Sequence, residues 1–103
     1  MTLRIVREGV WLYGGSVEVP VDIVALDYDW HYSLAKQDGR LEPKEEPTQL
    51  GPDGWLYYAR FRRALEDTEP TWPDSPGFAS VNDAMQHAEQ KVAGGVRWKP
   101  VAA

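Results

Sequence analysis

The sequence predicts a single α+β domain over residues 1–103, with a mainly antiparallel, curved sheet of about five strands and one helix packed on it. Three observations predict this class. Two segments alternate large apolar with polar residues at period two, as half-buried strands do. Glycine pairs stand at positions 14–15 and 94–95, where a hairpin and a helix would end. Residues 81–92 carry an apolar stripe with helical spacing. The predicted order is β-β-β-β-α-β.

The N-terminal third predicts a β-meander. Residues 3–7 and 10–13 are β-prone runs separated by Glu8-Gly9, which we interpret as a turn, and Gly14-Gly15 suits a tight hairpin. Residues 17–19 would continue the meander. Pro20 has no amide proton, so we expect it at an edge, a bulge or a strand start.

Residues 24–34 give the clearest strand pattern. The even positions hold large apolar side chains and the odd positions hold small or polar ones, which predicts one buried and one wet face. The apolar set is Val24, Leu26, Tyr28, Trp30, Tyr32 and Leu34. A second long strand is predicted over residues 55–65, with Trp55, Tyr57, Ala59, Phe61 and Leu65 on one side and Tyr58, Arg60 and Arg62 on the other.

Long loops are predicted at residues 36–54 and 66–79, because both segments are rich in proline and lack periodicity. The helix that follows has Ser80 as its N-cap and Asp83 at the third helical position, which resembles a capping box. Gly94-Gly95 should end it, and residues 96–101 are predicted to form a last short strand.

Composition excludes several classes of protein. The net charge is −5, from 16 acidic and 11 basic residues, which disfavours nonspecific nucleic-acid binding. Cysteine is absent, so disulfides and thiolate zinc sites are excluded and a reducing, cytoplasmic location is expected. No apolar run of about 18 residues predicts a membrane span. We expect no cofactor and no metal.

Aromatic content points to a contact surface. Five of the 103 residues are tryptophan, and the narrow, alanine-rich stripe of the predicted helix cannot cover so much large apolar surface. A loop, a second chain or a ligand must cover the rest. Our leading interpretation is therefore a noncatalytic binding or assembly module, with either a homodimer interface or a pocket for a small apolar ligand. The residues predicted to line it are Trp11, Tyr28, Trp30, Tyr57 and Trp98.

Two other interpretations remain open. If the second long strand and the last strand are neighbours, a basic patch beside an aromatic ring could bind nucleic acid through Tyr58, Arg60, Arg62, Arg97 and Lys99. The same cations could instead pair across the sheet with carboxylates such as Asp22 and Glu18. An enzyme would use Asp27, Asp29 and His31, spaced about 6.5 to 7 Å apart on the polar side of one strand. Strand neighbours at that spacing rarely converge on one ion.

Overall fold

The computed structural model describes residues 4–61 and 73–100, which form an antiparallel sheet of four strands and two helices. The elements in chain order are β1 (Arg4–Tyr13), β2 (Val17–Leu26), α1 (Trp30–Gln37), β3 (Leu56–Phe61), α2 (Val81–Lys91) and β4 (Arg97–Trp98). The strands lie in the order β3-β2-β1-β4. The α+β class is confirmed, while the described order is β-β-α-β-α-β, with an additional helix where the second half of a strand was expected.

β1 and β2 form one long hairpin, and its turn is the predicted one. Gly14 and Gly15 both have positive φ, at 61° and 77°, and the Ser16 N–H donates to the Tyr13 carbonyl at 3.2 Å. Two consecutive residues with positive φ define a type I′ turn, whose twist matches that of the flanking strands. The three predicted runs before Pro20 are therefore parts of two ten-residue strands.

The predicted turn at Glu8-Gly9 is wrong, because β1 runs straight through it. Gly9 is buried and pairs with Val21 on one side and Trp98 on the other. A Cβ atom at Gly9 would lie 2.8 Å from Cε3 of Trp98 and 2.8 Å from Cγ1 of Val96. Glycine is required here so that the Trp98 indole can lie close to the strand.

Gly9→Ala should therefore destabilise the protein by about 1–3 kcal/mol, since the added methyl displaces the Trp98 ring. Chemical denaturation followed by near-ultraviolet circular dichroism would report both the loss and the ring movement. In a Trp98→Ala background most of this cost should disappear. An unchanged stability of Gly9→Ala would mean that Trp98 does not pack on the strand.

Pro20 lies inside β2, in a strand that has neighbours on both sides. The Lys99 N–H donates to the Glu8 carbonyl at 2.8 Å, so the polar backbone groups of Glu8, and by alternation those of Val10, face β4 rather than β2. Pro20 is the partner of Val10 and needs no N–H toward β1. The described pairing of β2 with β3 begins one residue later, at Val21.

The central strands are buried on both faces. One face, which we call the α2 face, packs Val21, Ile23, Ala25, Tyr57 and Ala59 against Ala84 and Ala88 of α2. The opposite face, which we call the Trp30 face, holds Val24, Leu26, Leu56 and Tyr58 under Tyr28 and Trp30. The odd side of residues 24–34 was expected to be wet, yet Ala25 is buried because α2 covers it.

The strand predicted over residues 24–34 ends at Leu26. Asp29 caps the new helix α1, because its Oδ1 accepts a hydrogen bond from the Tyr32 N–H at 3.1 Å. This cap turns the chain back over the sheet, so that Tyr28 and Trp30 cover the Trp30 face from outside instead of belonging to it.

The outer edge of β3 is occupied by residues 73–78. The N–H groups of Tyr57, Ala59 and Phe61 donate to the Phe78 carbonyl at 2.8 Å, to Ser75 Oγ at 2.8 Å and to Asp74 Oδ2 at 2.7 Å. Prolines at positions 73 and 76 keep this segment from forming a regular strand. Side-chain oxygens therefore replace two of the carbonyls that a neighbouring strand would provide.

Helix α2 is the predicted one. The Ser80 side chain accepts from the Asp83 N–H, and Ala84 and Ala88 of the predicted stripe are buried against the sheet. Gly94 and Gly95 follow it with positive φ, at 83° and 74°. Neither of the two helices in the described residues has the length and apolar character needed to cross a bilayer.

Candidate ligand groove

The sheet separates the five aromatic residues that were expected to share one surface. Trp11, Tyr57 and Trp98 pack on the α2 face, whereas Tyr28 and Trp30 pack on the Trp30 face. Tyr57 is buried and donates its hydroxyl hydrogen bond to Asp53, and that bond, together with burial, raises the pKa of Tyr57. The five residues therefore do not form a common interface.

Tyr58 joins the sheet to the start of α1. Its hydroxyl accepts from the Trp30 N–H at 2.9 Å and donates to the Tyr28 carbonyl at 3.2 Å. The side chain is fully buried, and burial raises the pKa of Tyr58 to about 12. Tyr58 thus has a structural role, and its ring is not accessible to a stacking base.

The basic residues of the nucleic-acid interpretation are not brought together. β3 and β4 lie at opposite ends of the strand order, so the assumption that they are neighbours is wrong. Arg60 is buried and its Nη2 lies 2.9 Å from Oδ2 of Asp22, directly across from it on β2. Arg97, on β4, pairs with exposed Glu18 at 3.1 Å. Lys99 is exposed at the end of β4, and Arg62 lies outside the described residues.

The three residues of the enzyme interpretation do not share a strand. Asp27 is exposed in the turn after β2, Asp29 caps α1, and His31 lies in α1 with its Nε2 2.8 Å from the Ser75 carbonyl. Partial burial raises the pKa of Asp29, but hydrogen bonds from Thr48 and Tyr32 outweigh that effect and lower it. Both Asp29 oxygens are thereby used in structure.

Within the residues that the structure describes, no group of three or more histidine, aspartate or glutamate side chains could hold a metal ion.

A groove opens where β4 separates from β1. The two strands pair only at Gly9–Trp98 and Val10–Arg97, and the Lys99–Glu8 hydrogen bond extends this contact by one residue. On the other side of Arg97, the left-handed conformations of Gly94 and Gly95 turn the chain away. β1 therefore continues from Trp11 to Tyr13 without a partner on this edge among the described residues.

This hairpin groove has a volume of about 600 Å³ and runs between the β1–β2 turn and the end of α2. Its walls are formed by Trp11, Tyr13, Lys91 and Val92, with glycines of both pairs at its ends. The rings of Trp11 and Tyr13 meet edge to face, with centroids 5.8 Å apart. The volume falls within the range of about 300–1,000 Å³ that is typical of small-molecule sites.

The two exposed-side tryptophans are held differently. Trp98 Nε1 donates to Glu89 Oε1 at 2.8 Å, so its ring is fixed by a hydrogen bond as well as by packing on Gly9. The Trp11 Nε1 is buried and has no acceptor among the described residues. Packing alone holds the Trp11 ring, which also borders a second void of about 270 Å³ beside Phe61. The groove wall at Trp11 is therefore the less constrained one.

Sequence reasoning included only Trp11 among the predicted contact residues that line this groove. It missed Tyr13, Lys91 and Val92. A local signal existed, because Tyr13 immediately precedes one glycine pair and Lys91 and Val92 immediately precede the other. That the two glycine pairs meet in space is a tertiary fact without a local signature.

Comparison of the chain with protein-family models, with curated proteins and with solved structures gives no match. Its function is therefore inferred from residues and geometry.

Proposed function

We propose that the protein is a noncatalytic binding module that takes up a small apolar ligand in the hairpin groove. The observation that carries this proposal is the separation of β4 from β1, which leaves a concave, aromatic-walled groove at the surface. Such concave, mainly apolar sites are where small ligands bind. The lack of cysteine supports placing this module in a reducing compartment such as the cytoplasm.

The geometry favours this groove over a phosphate-binding surface. Arg60 and Tyr58 are buried, and Arg97 is already paired with Glu18. It also favours the groove over a catalytic site, because the oxygens of Asp29 accept hydrogen bonds from the backbone of Tyr32 and Thr48. These contacts give each group a structural partner.

A homodimer is the second candidate function. Leu12, Tyr13 and Val17 are exposed at the end of the hairpin, where large apolar side chains are normally covered by a partner. Tyr13 and Val17 face each other across the hairpin, so they lie on the same face. Tyr13 lines the groove and Val17 does not. This difference separates the two candidates.

Nile red, a neutral apolar dye, should bind the purified protein with saturable, one-to-one fluorescence enhancement. We expect Tyr13→Ser to weaken this binding by about fivefold or more, since it removes an aromatic wall from the site. The matched control Val17→Ser removes an exposed apolar side chain at the same level of the hairpin and should leave the dye affinity unchanged.

Sedimentation velocity of the same three proteins tests the second candidate. We expect a monomer in each case. A dimer that both Tyr13→Ser and Val17→Ser weaken, together with absent or nonsaturable dye binding, would replace the ligand-binding proposal with the assembly function.

A further inference from the structure

The charged groups on the hairpin groove are all of one sign. Lys91 and Arg97 line it, and no aspartate or glutamate does, although the chain has 16 acidic and only 11 basic residues. Lys91 has no ion-pair partner among the described residues, and the Arg97–Glu18 pair is highly exposed, so both cations are available to a ligand. The groove is therefore a cationic exception on an acidic protein.

The unpaired edge of β1 adds a hydrogen-bond donor to the groove. The Glu8 carbonyl faces β4, where it accepts from the Lys99 N–H, and backbone direction repeats every two residues along a strand. Val10 therefore also faces β4, opposite Arg97, and Leu12 faces the same edge beyond the last pair. Leu12 lines the groove, so its backbone N–H is directed toward it.

The length of this edge decides between a small ligand and a peptide. Between the last β1–β4 pair at Val10 and the turn at Gly14, only Leu12 presents backbone groups outward. An extended peptide adds to a sheet through a series of main-chain hydrogen bonds. One residue cannot supply that series, and it is equally insufficient for edge-to-edge pairing with a second copy of the chain.

We infer that the ligand of the hairpin groove is a small amphipathic anion, such as an aliphatic or aromatic carboxylate. This inference rests on the binding function proposed above. The apolar body packs on Trp11, Tyr13 and Val92, and the anionic group is held by Lys91 and Arg97 at the rim with the Leu12 N–H beside them. Charge complementarity selects the anion, and the apolar walls contribute most of the affinity.

The test compares decanoate with decanol, which share a chain and differ in charge. Isothermal titration at about 0.05 M and 0.5 M salt, with the full chain, should give tighter binding of decanoate at low salt only. Lys91→Gln should weaken decanoate binding about two- to five-fold and leave decanol unaffected, as expected for an exposed ion pair. Glu18→Gln releases Arg97 and should strengthen decanoate binding.

The outcomes separate this inference from the binding function. Equal affinities for decanoate and decanol, or decanoate binding insensitive to both Lys91→Gln and Glu18→Gln, would overturn the choice of an anion while the apolar groove stands. Failure of both compounds and of Nile red to bind would overturn the groove itself. The opposite responses of Lys91→Gln and Glu18→Gln would support the inference, because a merely structural effect has no reason to change sign.

Discussion

Arg60→Met should destabilise the protein by about 3–5 kcal/mol, one of the largest effects we expect from a single substitution. Asp22 and Arg60 are both almost completely buried, and their charged groups lie 2.9 Å apart on neighbouring strands. Removing the guanidinium leaves a carboxylate in the protein interior without its cationic partner. Urea denaturation at pH 7 would measure the loss.

The double variant Asp22→Leu/Arg60→Met is the matched control. It replaces both charges with apolar groups, and in such buried pairs this exchange is often neutral or stabilising because the desolvation cost of both ions disappears. We expect it to recover most of the stability lost in Arg60→Met. Wild-type stability of the single variant would contradict the burial of this pair.

Tyr58→Ala is the second substitution with a large expected effect, about 3–5 kcal/mol. It empties the centre of the Trp30 face and removes the hydroxyl that bonds to Trp30 and Tyr28, so α1 should lose its attachment to the sheet. Thermal and chemical denaturation would measure the change. Tyr13→Ala, at an exposed position, should shift stability by only about 0.5 kcal/mol.

Tyr58→Phe keeps the ring and isolates the hydroxyl. The lost hydrogen bonds should cost about 1–3 kcal/mol at neutral pH. Because the pKa of Tyr58 is raised from 10.0 to about 12, the unfolded chain ionises first as pH rises, and the stability present below pH 10 is lost between about 10 and 12. Tyr58→Phe should lack this contribution. An identical alkaline decline in both proteins would show that Tyr58 is not its source.

Local signals predicted the elements that depend on neighbouring residues. The Gly14-Gly15 turn requires only two positive φ angles, and α2 requires the Ser80 cap and its apolar spacing. α1 was missed because alternate large residues at positions 30, 32 and 34 fit a strand, while the cap that starts a helix there comes from Asp29, which the same alternation placed on a wet face.

The site was less predictable, since it depends on which strands are neighbours. The basic-patch interpretation required β3 next to β4, and the strand order places β2 and β1 between them. Arg60 has the same sequence signature whether it is exposed or paired with Asp22, and only the register decides. The hairpin groove likewise arises from two glycine pairs about 80 residues apart in the chain, for which the sequence provides no contact information.

The covering of the β3 edge has a consequence for how the protein behaves at high concentration. Open sheet edges recruit strands from other molecules and so seed aggregates. Between Tyr57 and Phe61, the outward N–H groups are already taken by Phe78, Ser75 and Asp74, so an incoming strand finds no donors there. The two prolines also keep the covering segment from becoming a new template. One side of the sheet is thereby closed to polymerisation, and the other remains open only beside Leu12.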